Sequence, residues 1–186
     1  TIDSLRGLEG SLANSYFFFF VDMIINQKDD FFYHGRSRRP PLDRLNALLS
    51  FSYSLLANEC ADALTTNGLD PYEGFMHVDR PGRKSLALDL MEELRGVIAD
   101  RFVLRLVNKK EIHASDFVCK ADGAYLLTDD ARKSFLAKWQ DNKISELEHP
   151  FLKEKIEWGL VPFAQAQLLA RYLRGDLDEY PPFMWK

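Results

Sequence analysis

The sequence predicts a mostly α-helical, bundle-like domain with one small two-stranded β-ribbon near residues 116–127. Long stretches carry apolar residues at three- and four-residue spacing, which is the period of one helical face. Glycine and proline residues stand at the ends of most of these stretches, where helices stop and start. With 186 residues, the chain is long enough to bury one substantial core. We therefore expect residues 1–186 to form a single domain.

The first predicted helix runs from Thr1 to about Gln27. Its apolar residues share one face, which we expect to be buried, and they are Leu5, Leu8, Leu12, Tyr16 and Phe19. The run from Tyr16 to Ile25 is too short to span a bilayer, so we interpret it as part of a buried helix. Two glycines, Gly7 and Gly10, interrupt the pattern on either side of Glu9. Each glycine costs about 1 kcal/mol relative to alanine inside a helix, so their presence needs a reason.

The second and third predicted helices follow a connection rich in proline and arginine. The second helix covers residues 41–68, with Pro41 and Asp43 in its first turn and Gly68 as its stop signal. The third helix covers residues 85–108. Between them lies a turn-rich segment, so the residues that precede the third helix are expected to form a loop.

The last third of the chain begins with the predicted ribbon, two short strands joined by an Ala-Asp-Gly turn. Thr128 then caps a helix over residues 128–143, which carries two aspartates in its first turn. A final helix begins near Val161 and Pro162 and ends at Gly175.

Composition excludes several classes of protein and site. The net charge of −4 gives no general attraction for nucleic acid, so any DNA contact requires a local basic patch. The two cysteines, Cys60 and Cys119, stand far apart and predict neither a disulfide framework nor a zinc site. The chain contains no phosphate-binding loop, dinucleotide fingerprint or HExxH zinc motif. We expect a cytoplasmic protein that makes no membrane contact.

Two carboxylates share a stripe on the third predicted helix, beside its apolar face. Asp89 and Glu92 are three residues apart and lie in line with Ser85 and Gly96. A solvated helix face is one explanation for this stripe. A metal site is the other, because His77 precedes the helix in a turn-rich segment that can fold back over the stripe. Carboxylates with an imidazole suit Mg²⁺ or Mn²⁺ better than a soft metal.

Glu9 offers a further carboxylate if the first helix packs against the third. Gly7 and Gly10 would then leave room for backbone, metal or phosphate close to Glu9. Close packing between helices is an equally good explanation of these glycines, and the spacing alone leaves both open.

Two groups of basic residues are candidates for binding phosphate. Arginine side chains pair bidentately with phosphate oxygens, and a loop allows several of them to converge. Solvated loops are the alternative explanation. The first group, in the connection after the first helix and at the start of the second, consists of Arg36, Arg38, Arg39 and Arg44. The second consists of Arg83 and Lys84 and lies between His77 and the helix that carries Asp89.

Several segments in this order resemble one family. They are LRGLEG, RLNALLSFSYSLL and GLDPYEGFMHVDRPGRKSLALDLMEELR, followed by the closing RYLRGDLDEYPPFMWK. Together they resemble the C-terminal helical catalytic domain of the CRISPR-associated spacer-acquisition integrase, a metal-dependent DNA endonuclease, in its type I-C-like form. The N-terminal β-rich domain of that family has no counterpart in this chain, so we expect the chain alone to have little activity.

The resemblance implies a site and a reaction. Glu9, His77 and Glu92 match the family's metal ligands, and Asp89 matches a second acidic position that is expected to support the site. The implied reaction is a transesterification in which a 3′-hydroxyl of incoming DNA attacks a phosphate at the repeat boundary. The implied cofactor is Mg²⁺ or Mn²⁺. The implied partners are branched or prespacer DNA, a second copy of the protein, and a small ferredoxin-like nuclease subunit.

Two other functions are compatible with the residues alone. The chain could be a non-catalytic helical interaction module, in which the carboxylates are only surface. It could also be an unrelated metal-dependent phosphoesterase, which would act on small phosphomonoesters and not on DNA.

Overall fold

The mostly α-helical prediction is confirmed by the computed structural model, which describes residues 2–33, 35–78 and 80–185. Thr1, where the first helix was expected to begin, lies outside these residues. The helices are α1 (Ile2–Phe20), α2 (Arg44–Thr66), α3 (Ser85–Leu94), α4 (Arg101–Asn108), α5 (Asp129–Ile144) and α6 (Val161–Leu173). The strands are β1 (Phe117–Cys119), β2 (Tyr125–Leu127), β3 (Glu146–Glu148) and β4 (Lys155–Glu157).

The chain divides into two compact units, each built from two separate stretches of sequence. Unit 1 comprises residues 1–52 and 100–137, and unit 2 comprises residues 53–99 and 138–186. The expectation of a single catalytic domain without the family's N-terminal domain remains a prediction.

The core of unit 1 is aromatic and aliphatic. Phe102 meets the ring of Phe135 edge-on at 5.2 Å between centroids, and Phe51 lies 5.0 Å from the same ring. The Asn108 side chain accepts the backbone N–H of Ile25 at 2.8 Å and thereby holds the chain that follows α1. Other fully buried side chains of this unit include Phe20, Phe31, Leu45, Leu48 and Leu49.

Unit 2 buries Trp139, whose indole is 1% exposed. The indole N–H donates to Oε1 of Glu59 at 2.9 Å, and the ammonium of Lys143 donates to the same oxygen at 2.8 Å. Glu59 is therefore a partly buried carboxylate with two hydrogen-bond donors, and these bonds offset the free-energy cost of removing it from water. Other buried aliphatic side chains of this unit include Leu56, Leu64, Leu94 and Leu168.

Local end signals place several helix boundaries as the sequence predicts. Gly68 has a φ of +77° and lies just past α2, where the N–H of Leu69 bonds the carbonyl of Leu64 at 2.9 Å. This is the arrangement in which a glycine closes the last turn of a helix. Gly175, with a φ of +80°, ends α6 in the same way. The hydroxyl of Thr128 accepts the N–H of Ala131 at 3.3 Å, so the predicted cap of α5 is confirmed.

The predicted β-ribbon is confirmed, and a second ribbon was not predicted. Strands β1 and β2 pair antiparallel, with Val118 opposite Leu126. Strands β3 and β4 also pair antiparallel, with Leu147 opposite Ile156. The three-residue strands of this second ribbon are too short to establish a clear alternation in sequence.

The predicted burial of the first helix is wrong for most of its apolar face. Leu12 is 68% exposed and Phe19 is 61% exposed, whereas Phe17 and Phe20 on a neighbouring face are buried. Periodicity correctly groups residues that share a face, but it does not identify the face that other elements cover.

Three predicted helices also differ in their bounds. The first was expected to run to about Gln27, but α1 ends at Phe20 and a short 3-10 helix, Val21–Met23, follows it. The second helix begins at Arg44 because the Asp43 carboxylate caps it, accepting the N–H of Asn46 at 2.6 Å. The third predicted helix is interrupted by a π-helical segment, Arg95–Asp100, between α3 and α4. No described helix has the length and apolar character needed to cross a membrane.

Candidate active site

The carboxylate of Asp89, on α3, organises the loop that ends in His77. Its Oδ2 accepts the backbone N–H groups of Phe75 and Met76 at 2.6 and 3.0 Å. Its Oδ1 accepts the backbone N–H of His77 at 3.0 Å and lies 2.6 Å from the ring atom Nδ1 of that residue. The predicted return of the loop over the stripe on α3 is thus confirmed for His77 and Asp89.

These contacts favour the charged form of Asp89 and select one tautomer of the His77 ring. Burial raises the pKa of Asp89, but the hydrogen bonds from His77 and the three backbone N–H groups outweigh it, and the pKa lies below its ordinary value. A carboxylate can only accept, so Nδ1 of His77 carries the shared proton. The lone pair of neutral imidazole is then on Nε2, which is the atom available to a metal ion.

The glycine before this loop is required by close packing. A Cβ atom on Gly74 would lie 2.6 Å from Cβ of Ser85 and 2.9 Å from the carbonyl oxygen of His77. Ser85 begins α3 and is fully buried, so it cannot move aside easily. Gly74 therefore allows the loop to approach the start of α3, and this approach places His77 beside Asp89.

Glu92, one turn further along α3, is paired with arginine. Its carboxylate lies 2.8 Å from Nη1 of Arg95, and the side chains of Glu92 and Arg95 are 28% and 19% exposed. The guanidinium also lies over the ring of Tyr53, 5.6 Å from the centroid. The alternative of a solvated helix face does not hold for Asp89, which is 11% exposed and bound by the loop. Glu92 is more exposed and forms an ion pair on the same helix.

Glu9 is exposed on α1 and belongs to unit 1, whereas His77 and Glu92 belong to unit 2. No atom outside the local backbone of α1 lies within 4 Å of a Cβ built on Gly7 or Gly10. Close packing against another described element therefore does not explain these glycines. The expectation that they leave room beside Glu9 for a metal or phosphate remains a prediction.

The donor chemistry at His77 fits a divalent ion. Asp89 supplies the carboxylate that orients a metal-binding imidazole, and Glu92 supplies a hard oxygen donor. Among the residues that the structure describes, no three histidine, cysteine, aspartate or glutamate side chains are gathered closely enough to hold an ion. Assembly of the complete ligand set of Glu9, His77 and Glu92 remains a prediction.

The predicted basic residues of unit 1 fall into two kinds. The guanidinium of Arg36 donates to Oδ1 of Asn46 at 2.7 Å and to the hydroxyl of Ser50. Arg44 donates to the carbonyl of Asp30 at 2.8 Å and lies over the ring of Tyr125. Both therefore hold the connection before α2 in place. The other two, Arg38 and Arg39, are exposed on that connection.

The basic pair of unit 2 directly precedes α3. Gly82 has a φ of +74°, and the N–H of Arg83 bonds the carbonyl of Arg80 at 2.9 Å, which closes a tight turn. The ammonium of Lys84 donates to Oδ1 of Asn58 at 3.1 Å. Arg83 and Lys84 thus stand at the positive end of the α3 dipole, in the same unit as His77.

Sequence reasoning missed two polar residues that organise these regions. Asn46 is fully buried, and its amide bonds the Asp43 carboxylate and the carbonyl of Gly35. Glu93, next to Glu92, is held by the end of the chain through Tyr180 and the backbone of Phe183. A polar residue inside an apolar helical pattern was the available signal for Asn46, but no local signal joins residue 93 to residue 180.

The family model for the CRISPR associated protein Cas1 matches residues 1–141 of this chain. The chain belongs to the Cas1 family. The resemblance predicted from the sequence motifs is therefore confirmed at the level of the family.

Curated relatives in the Cas1 family cover nearly the whole chain. A CRISPR-associated endonuclease Cas1 of Rhodospirillum rubrum is 57% identical over 184 residues, which are 99% of this chain and 54% of the relative. A Cas1 endonuclease of Leptospira interrogans is 51% identical, and the match covers 100% of this chain and 73% of the relative. The chain thus spans about half the length of the Rhodospirillum rubrum protein.

Solved structures share the fold. A casposase bound to integration product matches with a TM-score of 0.86 at 24% identity, over 100% of this chain and 53% of the casposase. The structure of a Cas6-RT-Cas1–Cas2 complex matches with a TM-score of 0.84 at 25% identity, over 100% of this chain and 20% of the matched chain. At these identities the likeness to the casposase establishes the fold alone.

Proposed function

We propose that this chain is the helical catalytic part of a metal-dependent DNA endonuclease and integrase that inserts spacer DNA into a CRISPR array. Family membership and the endonuclease names of its relatives support the proposal. The single structural observation that carries it is the contact of Asp89 with Nδ1 of His77 at 2.6 Å. An ordinary surface histidine does not need a largely covered carboxylate that also binds its backbone N–H.

In this proposal, Glu9, His77 and Glu92 hold the ion, and Asp89 positions His77. Bound Mg²⁺ or Mn²⁺ would supply the positive charge that activates a 3′-hydroxyl and stabilises the phosphate under attack. Asp89 keeps the proton on Nδ1 of His77 and holds the ring in one orientation, so that Nε2 stays available. Arg95 neutralises Glu92 before an ion binds.

The basic residues are assigned to the DNA backbone according to their surroundings. Arg83 and Lys84 lie at the start of α3, and we assign them to phosphate near the ion. Arg38 and Arg39 are exposed, and we assign them to a more distant part of the duplex or fork. Arg36 and Arg44 hold in place the connection that carries Arg38 and Arg39. We propose that they also contact phosphate directly.

The proposed partners follow from the family. The casposase structure contains integration product, and the Cas6-RT-Cas1–Cas2 structure contains Cas2. For this chain we propose branched or prespacer DNA, a second copy of the protein and a small ferredoxin-like nuclease subunit as partners. We propose that it acts in the cytoplasm.

The test uses the intact protein and compares alanine variants of the three proposed ligands in cleavage and joining of branched DNA with Mn²⁺. Glu9→Ala, His77→Ala and Glu92→Ala should each abolish both reactions, while circular dichroism shows unchanged helix content. Glu73→Ala and His113→Ala remove exposed side chains of the same types and should keep the activity. Full activity in all three ligand variants would reject the proposal. Hydrolysis of small phosphomonoesters without action on DNA would favour a phosphoesterase.

A further inference from the structure

The end of the chain is bound to α3 through one carboxylate, that of Glu93. Its Oε2 accepts the backbone N–H of Phe183 at 2.8 Å. Its Oε1 accepts the phenol of Tyr180 and an amide N–H of Gln165, the latter at 3.1 Å. Three donors from α6 and the residues after it thus converge on one side chain of α3.

The partners of Glu93 are themselves held. Gln165 is fully buried, and its two amide hydrogens are shared among Glu93, the hydroxyl of Tyr180 at 2.7 Å and the carbonyl of Pro181 at 3.2 Å. Its amide oxygen lies 3.1 Å from Nε2 of His149, which is also fully buried. The ring of Phe183 is 4% exposed and meets the rings of His149 and Trp158 edge-on. The anchor for Glu93 is therefore packed as well as hydrogen-bonded.

The phenol of Tyr180 stays protonated and can act as a donor. Burial raises its pKa, and the negative charge of Glu93 raises it further. A protonated phenol that receives a hydrogen bond from Gln165 and gives one to Glu93 forms a directed chain. Charge-assisted bonds of this type are stronger than neutral ones.

Glu93 lies at a position where its restraint affects the proposed metal site. It follows Glu92 directly, and it stands four residues after Asp89, so both lie on the same side of the helix. The helix changes from α to π geometry just beyond, at Arg95. Hydrogen bonding shifts from four- to five-residue spacing there, so Glu93 lies in the last turn before the change in geometry.

We propose that the segment Tyr180–Phe183 is a positioning element that holds Glu93 and thereby fixes the direction in which Glu92 leaves α3. This inference rests on the proposed function, because the direction of Glu92 matters only if Glu92 holds the ion. Tyr180 acts through α3 and touches no reacting atom, so it is a positioning residue.

The test uses Tyr180→Phe, which removes only the hydroxyl, and Tyr172→Phe as its control. Tyr172 lies on α6, is 41% exposed, and loses the same atom. Hydrogen exchange of the α3 amides, measured without metal, should be about fivefold faster in Tyr180→Phe than in Tyr172→Phe. Equal exchange in the two variants would overturn the proposal, whatever the metal does.

The second readout is the dissociation constant for Mn²⁺, obtained from the electron paramagnetic resonance signal of the free ion. Tyr180→Phe should weaken Mn²⁺ binding about threefold to tenfold. This is at or below the loss of about 10- to 100-fold that follows removal of a residue in direct contact with a metal ligand. Tyr172→Phe should leave Mn²⁺ binding unchanged. A lower melting temperature with unchanged Mn²⁺ affinity would show a merely structural role and overturn the proposal. Glu93→Gln keeps the size of the side chain but loses one acceptor, and it must weaken Mn²⁺ binding in the same direction.

Wild-type protein and His77→Ala separate this inference from the proposed function. Mn²⁺ binding by wild-type protein that is lost in His77→Ala supports the ligand assignment and validates the comparison of the tyrosine variants. If wild-type protein binds no Mn²⁺, the ligand assignment fails. Positioning of Glu92 by Tyr180 then cannot serve metal binding. The exchange result then still decides whether the segment holds α3.

Discussion

The ring atom Nδ1 of His77 lies 2.6 Å from Oδ1 of Asp89, although the two residues are 12 positions apart. The same carboxylate binds the backbone N–H groups of three consecutive residues that end in His77. Asp89 therefore determines the position of the loop, the orientation of the imidazole and the location of its proton.

Asp89→Asn should weaken the loop and the proposed metal site together. The amide has one acceptor oxygen where the carboxylate has two, so some loop donors lose their partner. We expect about 1–3 kcal/mol less stability toward urea, and Mn²⁺ binding weaker by about 10- to 100-fold. Asp141→Asn, at an exposed position of α5, is the control and should change neither quantity. Unchanged Mn²⁺ affinity in Asp89→Asn would show that Asp89 does not contribute to the proposed metal site.

Arg95→Gln should strengthen Mn²⁺ binding. The guanidinium pairs with Glu92 at 2.8 Å, and a divalent ion must compete with it for the carboxylate. Because partly exposed ion pairs contribute up to about 1 kcal/mol, we expect affinity to rise about two- to fivefold. Arg132→Gln breaks a pair of the same spacing with Asp129 on α5 and should leave the Mn²⁺ titration unchanged. Weaker binding in Arg95→Gln would mean that Arg95 helps to orient Glu92.

Alanine at the two glycines beside Glu9 should stabilise the protein. Both positions are helical and have open space around a built Cβ, so each substitution should add about 0.5–1 kcal/mol to the free energy of unfolding. Gly74→Ala should instead destabilise the protein by about 1–3 kcal/mol, because its Cβ meets Ser85. Thermal melting should therefore show a higher melting temperature for Gly7→Ala and Gly10→Ala and a lower one for Gly74→Ala.

The same glycine variants also test the reason for Gly7 and Gly10. If space beside Glu9 serves metal or phosphate, Gly7→Ala and Gly10→Ala should lower DNA joining despite their higher melting temperature. Full joining activity in both variants would show that this space has no catalytic use.

Polar substitution on the exposed face of α1 should have little effect on folding. Leu12 is 68% exposed, so Leu12→Gln should change the free energy of unfolding by about 0.5 kcal/mol or less. Leu48 in the same unit is fully buried, and Leu48→Ala should cost about 2–5 kcal/mol. Urea denaturation of the two variants compares them directly. A loss of several kcal/mol in the free energy of unfolding of Leu12→Gln would show that this face is buried in the core after all.

Stability should fall as the pH is lowered below about 6.5, because His149 must remain neutral in the folded protein. Burial lowers the pKa of His149 below its ordinary value of 6.5. Its Nδ1 accepts backbone N–H groups of Phe151 and Leu152, which a protonated ring cannot do. The unfolded state therefore binds more protons in this range. The contribution is complete above pH 6.5 and decreases as the pH falls toward the folded pKa.

Urea midpoints between pH 7.5 and 5.5 measure this effect. His149→Asn keeps an acceptor near the position of Nδ1 but cannot titrate, so its stability should depend less on pH than that of wild-type protein. His113→Asn, at an exposed position, should retain the wild-type dependence. A wild-type slope in His149→Asn would exclude His149 as the cause.

The sequence by itself determined the fold class, the family, and those boundaries that local chemistry sets. Gly68, Thr128 and Gly175 act on atoms within a few residues of themselves, so their effects can be read directly from the chain. The loop that ends in His77 was also predictable, since a turn-rich segment directly precedes the helix that carries Asp89.

Only the tertiary structure decided which surfaces and side chains are covered. Periodicity placed Leu12 and Phe19 on one face, but the neighbouring face with Phe17 and Phe20 is the buried one. It likewise gave no indication that Tyr180 binds Glu93, 87 positions away. Such contacts depend on how distant elements pack, and packing energies are not encoded within any single local window of the chain.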